Sequence, residues 1–481
     1  MISDAIRKPG SYSVIVKGES GGLPSRRQNM LIIAPRLSAG RINAGVPAQV
    51  FSPQQAAEFW GAGSIMHRMV SAAFRQHSAL SLTGCAVDDS ANGVAASATV
   101  TFTGTASATG TVTLWVGTDR VTVRVDKDDT AAVAVTRLRT EISNNRPNLP
   151  VTATAAAGVL TLTAKNKGTA GNHLGQKGRP AVQVEVSGIT AQTTVYTGGA
   201  GDPDLAEALS KVAGERYHII AIPFGTIEAA RALSEHLTEV SNEINQRGGR
   251  GFMFIDGDFS AAFTFAQSIN DKRMCVGYIY GAKRFPFENA AAFAAMQAAQ
   301  PSPWLATNNV ELIGCDAPGI PDRFIWNETN TLLWNGITPF EVGAGDRVRC
   351  VRAISTYIKN DAGAEDDTFL DSFKIATADY TRDAVRVRHL NDFQNKILRD
   401  NHVEGEPPNV ITPADVRSTN LDVCRRIERE GGLNNVNHFA DQFVSTRDPN
   451  VPGRVNSVIP IDIVDAAHIM ANTISISSAV G

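Results

Sequence analysis

Residues 216–244 read RYHIIAIPFGTIEAARALSEHLTEVSNEI, and this stretch establishes the fold class. Its first nine residues, 216–224, are mostly apolar, which is typical of a strand buried on both faces. After the turn at Gly225 and Thr226, apolar residues recur at helical spacing, at Ile227, Ala230, Leu233, Leu237, Val240 and Ile244. A buried strand followed directly by an amphipathic helix is the repeating unit of a layered α/β domain.

The alternation of strands and helices continues on the C-terminal side of this stretch. Residues 251–255 and 274–280 are predicted strands, and residues 259–269 and 287–299 are predicted helices. We therefore predict an α/β domain with a partly parallel sheet over residues 199–358.

Residues 21–80 are predicted to form another part of the same core. An apolar strand covers residues 30–34. Ser52 followed by Pro53 marks the start of a helix, because serine caps a helix N-terminus and proline fits its first turn. A second helix is predicted over residues 64–76.

Between these two parts, residues 81–198 change in composition to threonine, alanine, valine and glycine. Apolar and threonine residues alternate over 98–104, 110–116 and 158–164, as in strands with one face exposed to water. Val135, Leu138 and Ile142 indicate one helix among these strands. The stretch is predicted to be a β-rich inserted domain at the periphery, because the core pattern resumes after it.

Both ends of the chain carry a short strand pattern without a hairpin partner nearby. The apolar positions of the two patterns are Tyr12, Val14, Val16, Ile474 and Ile476. We predict an N-terminal arm over residues 1–20 and a C-terminal arm over residues 465–481. A strand that lacks a partner in its own chain is predicted to pair elsewhere.

Residues 359–464 are predicted to be mainly helical up to Pro449 and extended over 455–463. The predicted helix over 413–430 carries a basic cluster, made of Arg417, Arg425, Arg426 and Arg429. Acidic residues interleave with these arginines. Two interpretations stay open: ion pairs within the helix, or a surface that binds a partner.

The composition excludes several classes of function. A formal net charge of -3 gives no general attraction for nucleic acid or for an anionic membrane surface. No run of apolar residues is long enough to span a membrane, and the N-terminus lacks the apolar core of an export signal, so we expect neither nucleic-acid binding nor membrane insertion. Five widely spaced cysteines without a CxxC pair predict buried free thiols.

An enzyme is the alternative of another class, namely a soluble α/β enzyme with a β insert. Residues 18–22 match the GxSxG pattern of hydrolases, but too few residues precede them to build an oxyanion hole. The turns after the predicted strands lack phosphate-binding loops, and Asp256 and Asp258 lack the other ligands of a calcium loop. We therefore predict no catalytic residue, no cofactor and no metal.

Seven short segments resemble one protein family when they are taken in chain order. They are PGSY at 9–12, FWGAGS at 59–64, LTLTAK at 160–165, KGTAGN at 167–172, LLWNGI at 332–337, VRAISTY at 351–357 and PGRVN at 452–456. Together they resemble the contractile tail sheath proteins of Mu-like bacteriophages, over nearly the whole chain. The chain is then an α+β multidomain protein, with a layered α/β sheath core, a β-rich inserted domain and extended N- and C-terminal strand arms.

The resemblance implies a structural protein of the virion, assembled in the cytoplasm of the bacterial host. Such subunits form stacked hexameric rings around the tail tube protein, with baseplate and tail terminator proteins at the ends, and the sheath contracts to drive the tube through the host envelope. The resemblance implies that the terminal arms add strands to neighbouring subunits and that the helix over 413–430 faces the tube. The sheath of a phage-tail-like bacteriocin or of a secretion device is the nearer alternative.

Overall fold

The computed structural model describes residues 23–175 and 181–475 of the 481-residue chain. The described residues divide into two compact units. Residues 26–379 and 465–475 belong to the larger unit, and residues 23–25 and 380–464 belong to the smaller one.

The first part of the larger unit contains the two predicted helices. Its elements are β1 (Asn29–Pro35), β2 (Pro47–Val50), α1 (Pro53–Trp60), α2 (Ile65–Gln76) and β3 (Ser81–Val87). The hydroxyl of Ser52 accepts a hydrogen bond from the backbone N–H of Gln55, and that of Ser64 accepts one from His67. The predicted serine caps are therefore confirmed.

Residues 94–200 form the β-rich insertion. Its elements are β4 (Ser97–Gly104), β5 (Gly110–Val116), β6 (Asp119–Val125), α3 (Ala131–Asn145), β7 (Val151–Ala156), β8 (Val159–Ala164), β9 (Val182–Glu185) and β10 (Ile189–Thr193). The strands make a four-stranded sheet, β10-β4-β8-β7, and a three-stranded sheet, β6-β5-β9. An antiparallel bridge between Val94 and Ala200 brings the two ends of the insertion together.

The remainder of the larger unit alternates strands and helices. Its elements are α4 (Ala206–Val212), β11 (Ile219–Ala221), α5 (Ile227–Ser241), β12 (Arg250–Ile255), α6 (Phe259–Gln267), β13 (Met274–Tyr278), α7 (Pro286–Ala298), β14 (Val310–Asp316), α8 (Trp326–Trp334), β15 (Thr338–Gly343), β16 (Arg347–Cys350) and the first turns of α9 (Ser372–Phe393). The predicted α/β alternation is confirmed.

One nine-stranded sheet organises the larger unit, in the order β14-β16-β15-β13-β12-β11-β1-β3-β2. The six central strands from β15 to β3 run parallel, and the outer strands pair antiparallel. Residues 30–34 of β1 are completely buried, as expected for a strand between two parallel neighbours. The predicted partly parallel sheet is confirmed.

Strand β3 corrects the predicted start of the insertion at residue 81. It pairs in parallel with β1 along its whole length, from Asn29 opposite Ser81 to Pro35 opposite Val87. The ring of Trp60 occupies the space into which a side chain at Gly84 would project. Residues 81–87 therefore belong to the core sheet, because β1 and α1 both pack against them.

Helix α7 is buried on all sides. Every residue from Phe287 to Gln297 is buried, which fits its alanine-rich sequence, since a helix without a polar face belongs in a protein interior. At its N-terminal end, the carboxylate of Glu288 accepts from Arg68 at 2.5 Å and from Arg284 at 3.3 Å. At its C-terminal end, the Gln297 side-chain oxygen accepts from Arg250 at 3.1 Å.

The insertion is joined to this core by polar contacts. The Asn166 side-chain oxygen accepts from the backbone N–H of Ile65, the first residue of α2, at 2.9 Å. Asp119 forms an ion pair with Arg68 at 2.7 Å. Burial disfavours the charged form of Arg68, but Glu288 and Asp119 together outweigh this effect and raise its pKa. The insertion thus shares a buried ionic network with α2 and α7.

The helical spacing that was predicted to continue to Ile244 ends earlier. Helix α5 ends at Ser241, and the side-chain oxygen of Asn242 accepts from the backbone N–H groups of Ile244 and Asn245. This turn directs the chain away from the helix axis. The Ile244 side chain is consequently 83% exposed.

The smaller unit is less helical than the sequence predicts. After the last turns of α9 its elements are β17 (Ile397–Leu398), β18 (Val410–Ile411), α10 (Pro413–Arg429), β19 (Leu433–Asn434), β20 (Val444–Arg447), β21 (Val455–Val458) and β22 (Asp462–Ile463). The strands pair as β17-β18, β19-β22 and β20-β21. Two helices are present, but short strand pairs occupy much of the segment that was predicted to be helical.

A pair of deletions tests the assignment of β3 to the core. Replacing residues 94–200 by a short Gly/Ser linker is expected to leave a folded chain, because Val94 and Ala200 already lie side by side. Replacing residues 81–200 is expected to prevent folding, because β1 loses one of its two neighbouring strands and its buried side chains lose their cover on that side. The thermal unfolding of the two deletion variants, followed by circular dichroism, tests these expectations. Equal cooperative unfolding of the two chains would contradict the assignment, and failure of the shorter deletion would show that the insertion is required by the core.

Candidate functional site

The candidate site is a set of surfaces at the chain ends and around α10. Of the five predicted arm positions, Tyr12, Val14, Val16 and Ile476 lie outside the described residues. Ile474 lies within them and is 87% exposed, and residues 473–475 carry no regular secondary structure. Within the described residues, the single chain therefore does not cover this apolar side chain.

The segment that leads to Ile474 is held to the larger unit at two points. Asp465 forms an ion pair with Lys374 at 2.9 Å. His468 lies 2.8 Å from the Asn308 amide through one ring nitrogen and 3.3 Å from the Asp371 carboxylate through the other. Beyond His468 the apolar side chains of Ile469 and Met470 are exposed. The C-terminal segment thus has an anchored root and an uncovered apolar end.

Local sequence determines where α10 begins and which face it buries. Thr412 accepts from the backbone N–H of Asp415, and the Asp415 carboxylate accepts from the backbone N–H of Thr412, which makes a reciprocal cap ahead of Pro413. The buried positions recur at helical spacing, at Val416, Asn420, Leu421, Val423, Cys424 and Ile427. Of the basic cluster, Arg425 and Arg429 are exposed, whereas Arg417 and Arg426 are partly buried.

The four arginines of this cluster have different environments. Arg417 donates to the backbone oxygens of Phe443 at 2.6 Å and Ala440 at 2.7 Å, so it holds the loop before β20. Arg426 forms an ion pair with Asp422 at 2.9 Å, one helical turn away. The sequence left two interpretations of the cluster open, namely ion pairs within the helix or a surface that binds a partner. The first applies to Arg426. Arg417 fits neither, because it stabilises the fold.

Arg425 and Arg429 are the exposed members of the cluster. Arg425 donates to the side-chain oxygen of Asn437 at 2.9 Å, and Arg429 donates to the backbone oxygen of Arg425 at 3.3 Å. These hydrogen bonds use only part of each guanidinium, which carries five donors. The two side chains can therefore also bind a partner, and that role stays a prediction.

A histidine between two carboxylates lies at the N-terminal end of α10. One ring nitrogen of His402 hydrogen-bonds Glu406, and the other lies 2.8 Å from the Asp415 carboxylate. Both nitrogens can donate only when the ring is protonated. The hydrogen bond to Glu406, with that to Asp415, raises the pKa of His402, and the same contact lowers the pKa of Glu406.

The hairpin β20-β21 was predicted only in part, because residues 455–463 were expected to be extended but the partner strand β20 was not. Val444 pairs with Val458, and Arg447 pairs with Val455, across a turn in which Asp448 accepts from the backbone N–H of Asn450. Within the described residues no third strand joins this sheet. Turn residues flanked by two runs of valine, serine and threonine were the signal that could have predicted it.

The residues considered for chemistry have structural roles where they are described. Asp256 pairs with His173, and Asp258 caps α6 by accepting from the backbone N–H of Ala261. Among residues 23–175 and 181–475, no three histidine, cysteine or acidic residues are placed to hold a metal ion. The GxSxG pattern at 18–22 lies outside the described residues. The five cysteines are buried free thiols, as predicted.

No helix in the part of the chain that the structure describes combines the length and the apolar character needed to cross a membrane.

Two family models match successive parts of the chain. The model of the phage tail sheath protein central domain matches residues 198–356, and that of the phage tail sheath C-terminal domain matches residues 364–477. Together they cover more than half of the chain. In sequence, the chain is 28% identical over 480 residues to the Mu-like prophage FluMu tail sheath protein of Haemophilus influenzae, covering 98% of each chain.

Solved structures share the fold. A sheath tail protein from Listeria innocua is similar with a TM-score of 0.50 and 14% identity, over 92% of this chain and 93% of that one. The helical sheath of the anti-feeding prophage in its contracted state is similar with a TM-score of 0.52 and 11% identity, over 97% and 98%. At these identities the likeness concerns the fold alone.

The different environments of the arginines lead to a stability prediction. Arg417→Ala is expected to lower the free energy of unfolding by about 1.5–3 kcal/mol, because two carbonyl oxygens lose a charged donor. The double variant Arg425→Glu/Arg429→Glu is expected to change it by less than about 0.5 kcal/mol, because both side chains are exposed. Urea unfolding of the three proteins compares them. Equal losses would show that the exposed pair also maintains the fold.

The contacts of His402 lead to a pH prediction. Its raised pKa means that its contribution to stability is complete below about pH 6.5, the ordinary value, and disappears as the pH rises through the folded-state pKa. The lowered pKa of Glu406 adds a contribution that disappears on acidification. The difference in melting temperature between wild type and His402→Gln should therefore be largest at mildly acidic pH and vanish in alkaline solution. A difference independent of pH would contradict the assignment.

Proposed function

This chain belongs to the phage tail sheath protein family, and we propose that it polymerises as stacked hexameric rings around a tail tube and contracts to drive the tube through the host envelope. In this role it is a structural component of the virion and has no catalytic step. Its partners are copies of itself, the tail tube protein, and the baseplate and terminator proteins at the sheath ends.

The order of the two family models carries this proposal. They match the central and C-terminal domains of a sheath protein in succession, across residues 198–356 and 364–477. The prophage relative extends the similarity to nearly the whole chain, including the insertion. Two sheath domains in order along one chain favour a sheath subunit over an α/β enzyme that shares only a layered core.

Strand exchange through the terminal arms is the proposed link between subunits. The described end of the C-terminal arm supports it, because Ile469, Met470 and Ile474 expose apolar side chains beyond the anchored His468. The thirteen residues from 469 to 481 can reach roughly 40 Å when extended, at about 3.3 Å per residue. That distance is enough to cross a neighbouring domain.

The hairpin β20-β21 is the proposed acceptor of an arm. It is a two-stranded sheet whose strands are largely exposed, and Val444 and Val458 form an apolar cross-strand pair on its surface. A two-stranded sheet leaves the outer backbone groups of both strands without a strand partner, so an added strand would stabilise it. Four to six new backbone hydrogen bonds, at about 0.5–1.5 kcal/mol each, would contribute a few kcal/mol per junction.

The exposed side of α10 is the proposed contact with the tube. Arg425 and Arg429 lie there with unused donors, and exposed charges bind a partner weakly, at about 0–1 kcal/mol per pair. Such a contact can hold an extended sheath on its tube and still be released during contraction. Its strength should fall with salt, because exposed charge pairs are screened.

Removing either arm tests the strand exchange. Chains lacking residues 1–17 or 473–481 are expected to remain folded and soluble but to lose the ability to form sheaths, because the link between subunits is gone. Thermal unfolding checks the fold, and electron microscopy of assembly with the tube protein checks the polymer. Long contractile sheaths from either truncated chain would contradict the role of that arm.

A substitution in the acceptor provides the matched control. Val458→Lys places a charge on the hairpin surface, as edge strands do to prevent pairing, and should reduce assembly like a truncation. Val195→Lys changes an equally apolar and exposed residue in the insertion and should assemble normally. If the two variants assemble equally well, β20-β21 is not the acceptor.

A further inference from the structure

Helix α8 has the sequence WNETNTLLW over residues 326–334, and it carries two of the five tryptophans of the chain. Its start is fixed by Glu328, whose carboxylate accepts from the backbone N–H of Ile325 at 2.9 Å. Glu328 is also the only charged residue of the helix. The carboxylate of Glu328 therefore caps the N-terminus of the helix.

The two faces of α8 differ in an unusual way. Thr329 and Leu332 form the buried face, as the helical period requires. On the opposite side Trp326 is 76% exposed and Trp334 is 71% exposed, with Asn327 and Thr331 between them. The solvent face of this helix thus combines two large aromatic rings with uncharged polar residues.

This composition is that of a protein interface. Interface cores are enriched in tryptophan and depleted of charged residues, and tryptophans are the commonest binding hot spots. The other three tryptophans follow the usual rule, because Trp60 and Trp304 are buried and Trp115 is half-buried. The two tryptophans of α8 are exposed and therefore do not contribute to the core.

The exposed area is too large to be incidental. Ile320 and Ile325, just before the helix, are exposed as well. Summed over these four side chains, the exposed apolar surface is on the order of 500–700 Å², which compares with the largest patches on monomeric proteins. A standard interface buries about 800 Å² from each partner. One further chain packed on this face would cover it.

We propose that the solvent face of α8, together with Ile320 and Ile325, packs against a neighbouring copy of this chain in the assembled polymer. This inference rests on the proposed function and adds a contact between globular domains to the strand arms. A strand junction contributes only a few kcal/mol, so a polymer needs further contacts to fix how its subunits are oriented. In a helical polymer the contact is heterologous, because a two-fold contact would close a dimer and stop growth.

The tryptophans report on their own burial. We expect the fluorescence of the full-length wild type to shift to shorter wavelength when the purified chain assembles without any other protein, because these two rings leave water. Trp326→Phe/Trp334→Phe should assemble with little shift. Trp326→Ala/Trp334→Ala should raise the protein concentration needed for assembly about tenfold or more, since truncated hot spots each cost at least that factor.

Ile244→Ala is the control, because this isoleucine is exposed but belongs to the turn after α5 and not to α8, and it should assemble like wild type. Thermal unfolding of each variant confirms that it is folded. An alanine double variant that assembles at the wild-type concentration would overturn the proposal, and so would one that assembles alone but fails to sheathe the tube, since α8 would then bind the tube. A wild type that assembles neither alone nor with the tube protein would overturn the proposed function itself, and this contact with it.

Discussion

The burial of α7 is the constraint on which the larger unit depends. A helix without a solvent face cannot leave its polar ends to water, so the chain must supply partners for them. Glu288 takes Arg68 from α2 and Arg284 from the preceding loop. At the other end Arg250 of β12 joins Gln297 to Gln28. Segments far apart in sequence are thereby fixed around one helix. Removing one member of such a buried ionic group costs about 3–5 kcal/mol.

The same network explains how the insertion is attached. Arg68 lies at its centre and reaches both Glu288 of α7 and Asp119 of the insertion. Asn166 of the insertion also accepts from the first backbone N–H of α2, a donor that no residue of the helix could satisfy. Both contacts involve α2, the helix that packs on α7. The insertion can therefore be peripheral to the fold and still be oriented firmly with respect to the core.

The sequence predicts what local interactions control. Ser52 and Ser64 cap helices whose starts depend on residues three positions away, and β11 is apolar throughout. The sequence does not predict features that depend on contacts between segments far apart in the chain. Residues 81–87 have the threonine, glycine and alanine content of the insertion, and only their pairing with β1 assigns them to the core. Arg417 and Arg425 look alike in spacing, yet the carbonyl oxygens that hold Arg417 belong to residues 23 and 26 positions further on. The terminal strands stay a prediction, because Tyr12, Val14, Val16 and Ile476 lie outside the described residues. The strands of the proposed acceptor, β20 and β21, are four residues long and too short to show a period.

Strong contacts within a subunit and weak contacts between subunits suit a polymer that has to rearrange. The larger unit is held by buried ion pairs and a parallel sheet, whose loss is expensive, so it should move as a rigid body. The proposed junctions are exposed backbone hydrogen bonds, a screened basic surface on α10 and an apolar face on α8. Each contributes little alone and can re-form at a new position. His468 is fixed to the larger unit, and the apolar residues after it are uncovered. If these residues join a neighbouring subunit as proposed, a subunit could rotate about its arm without losing its neighbour. Contraction then changes the contacts between subunits and leaves the fold of each one unchanged.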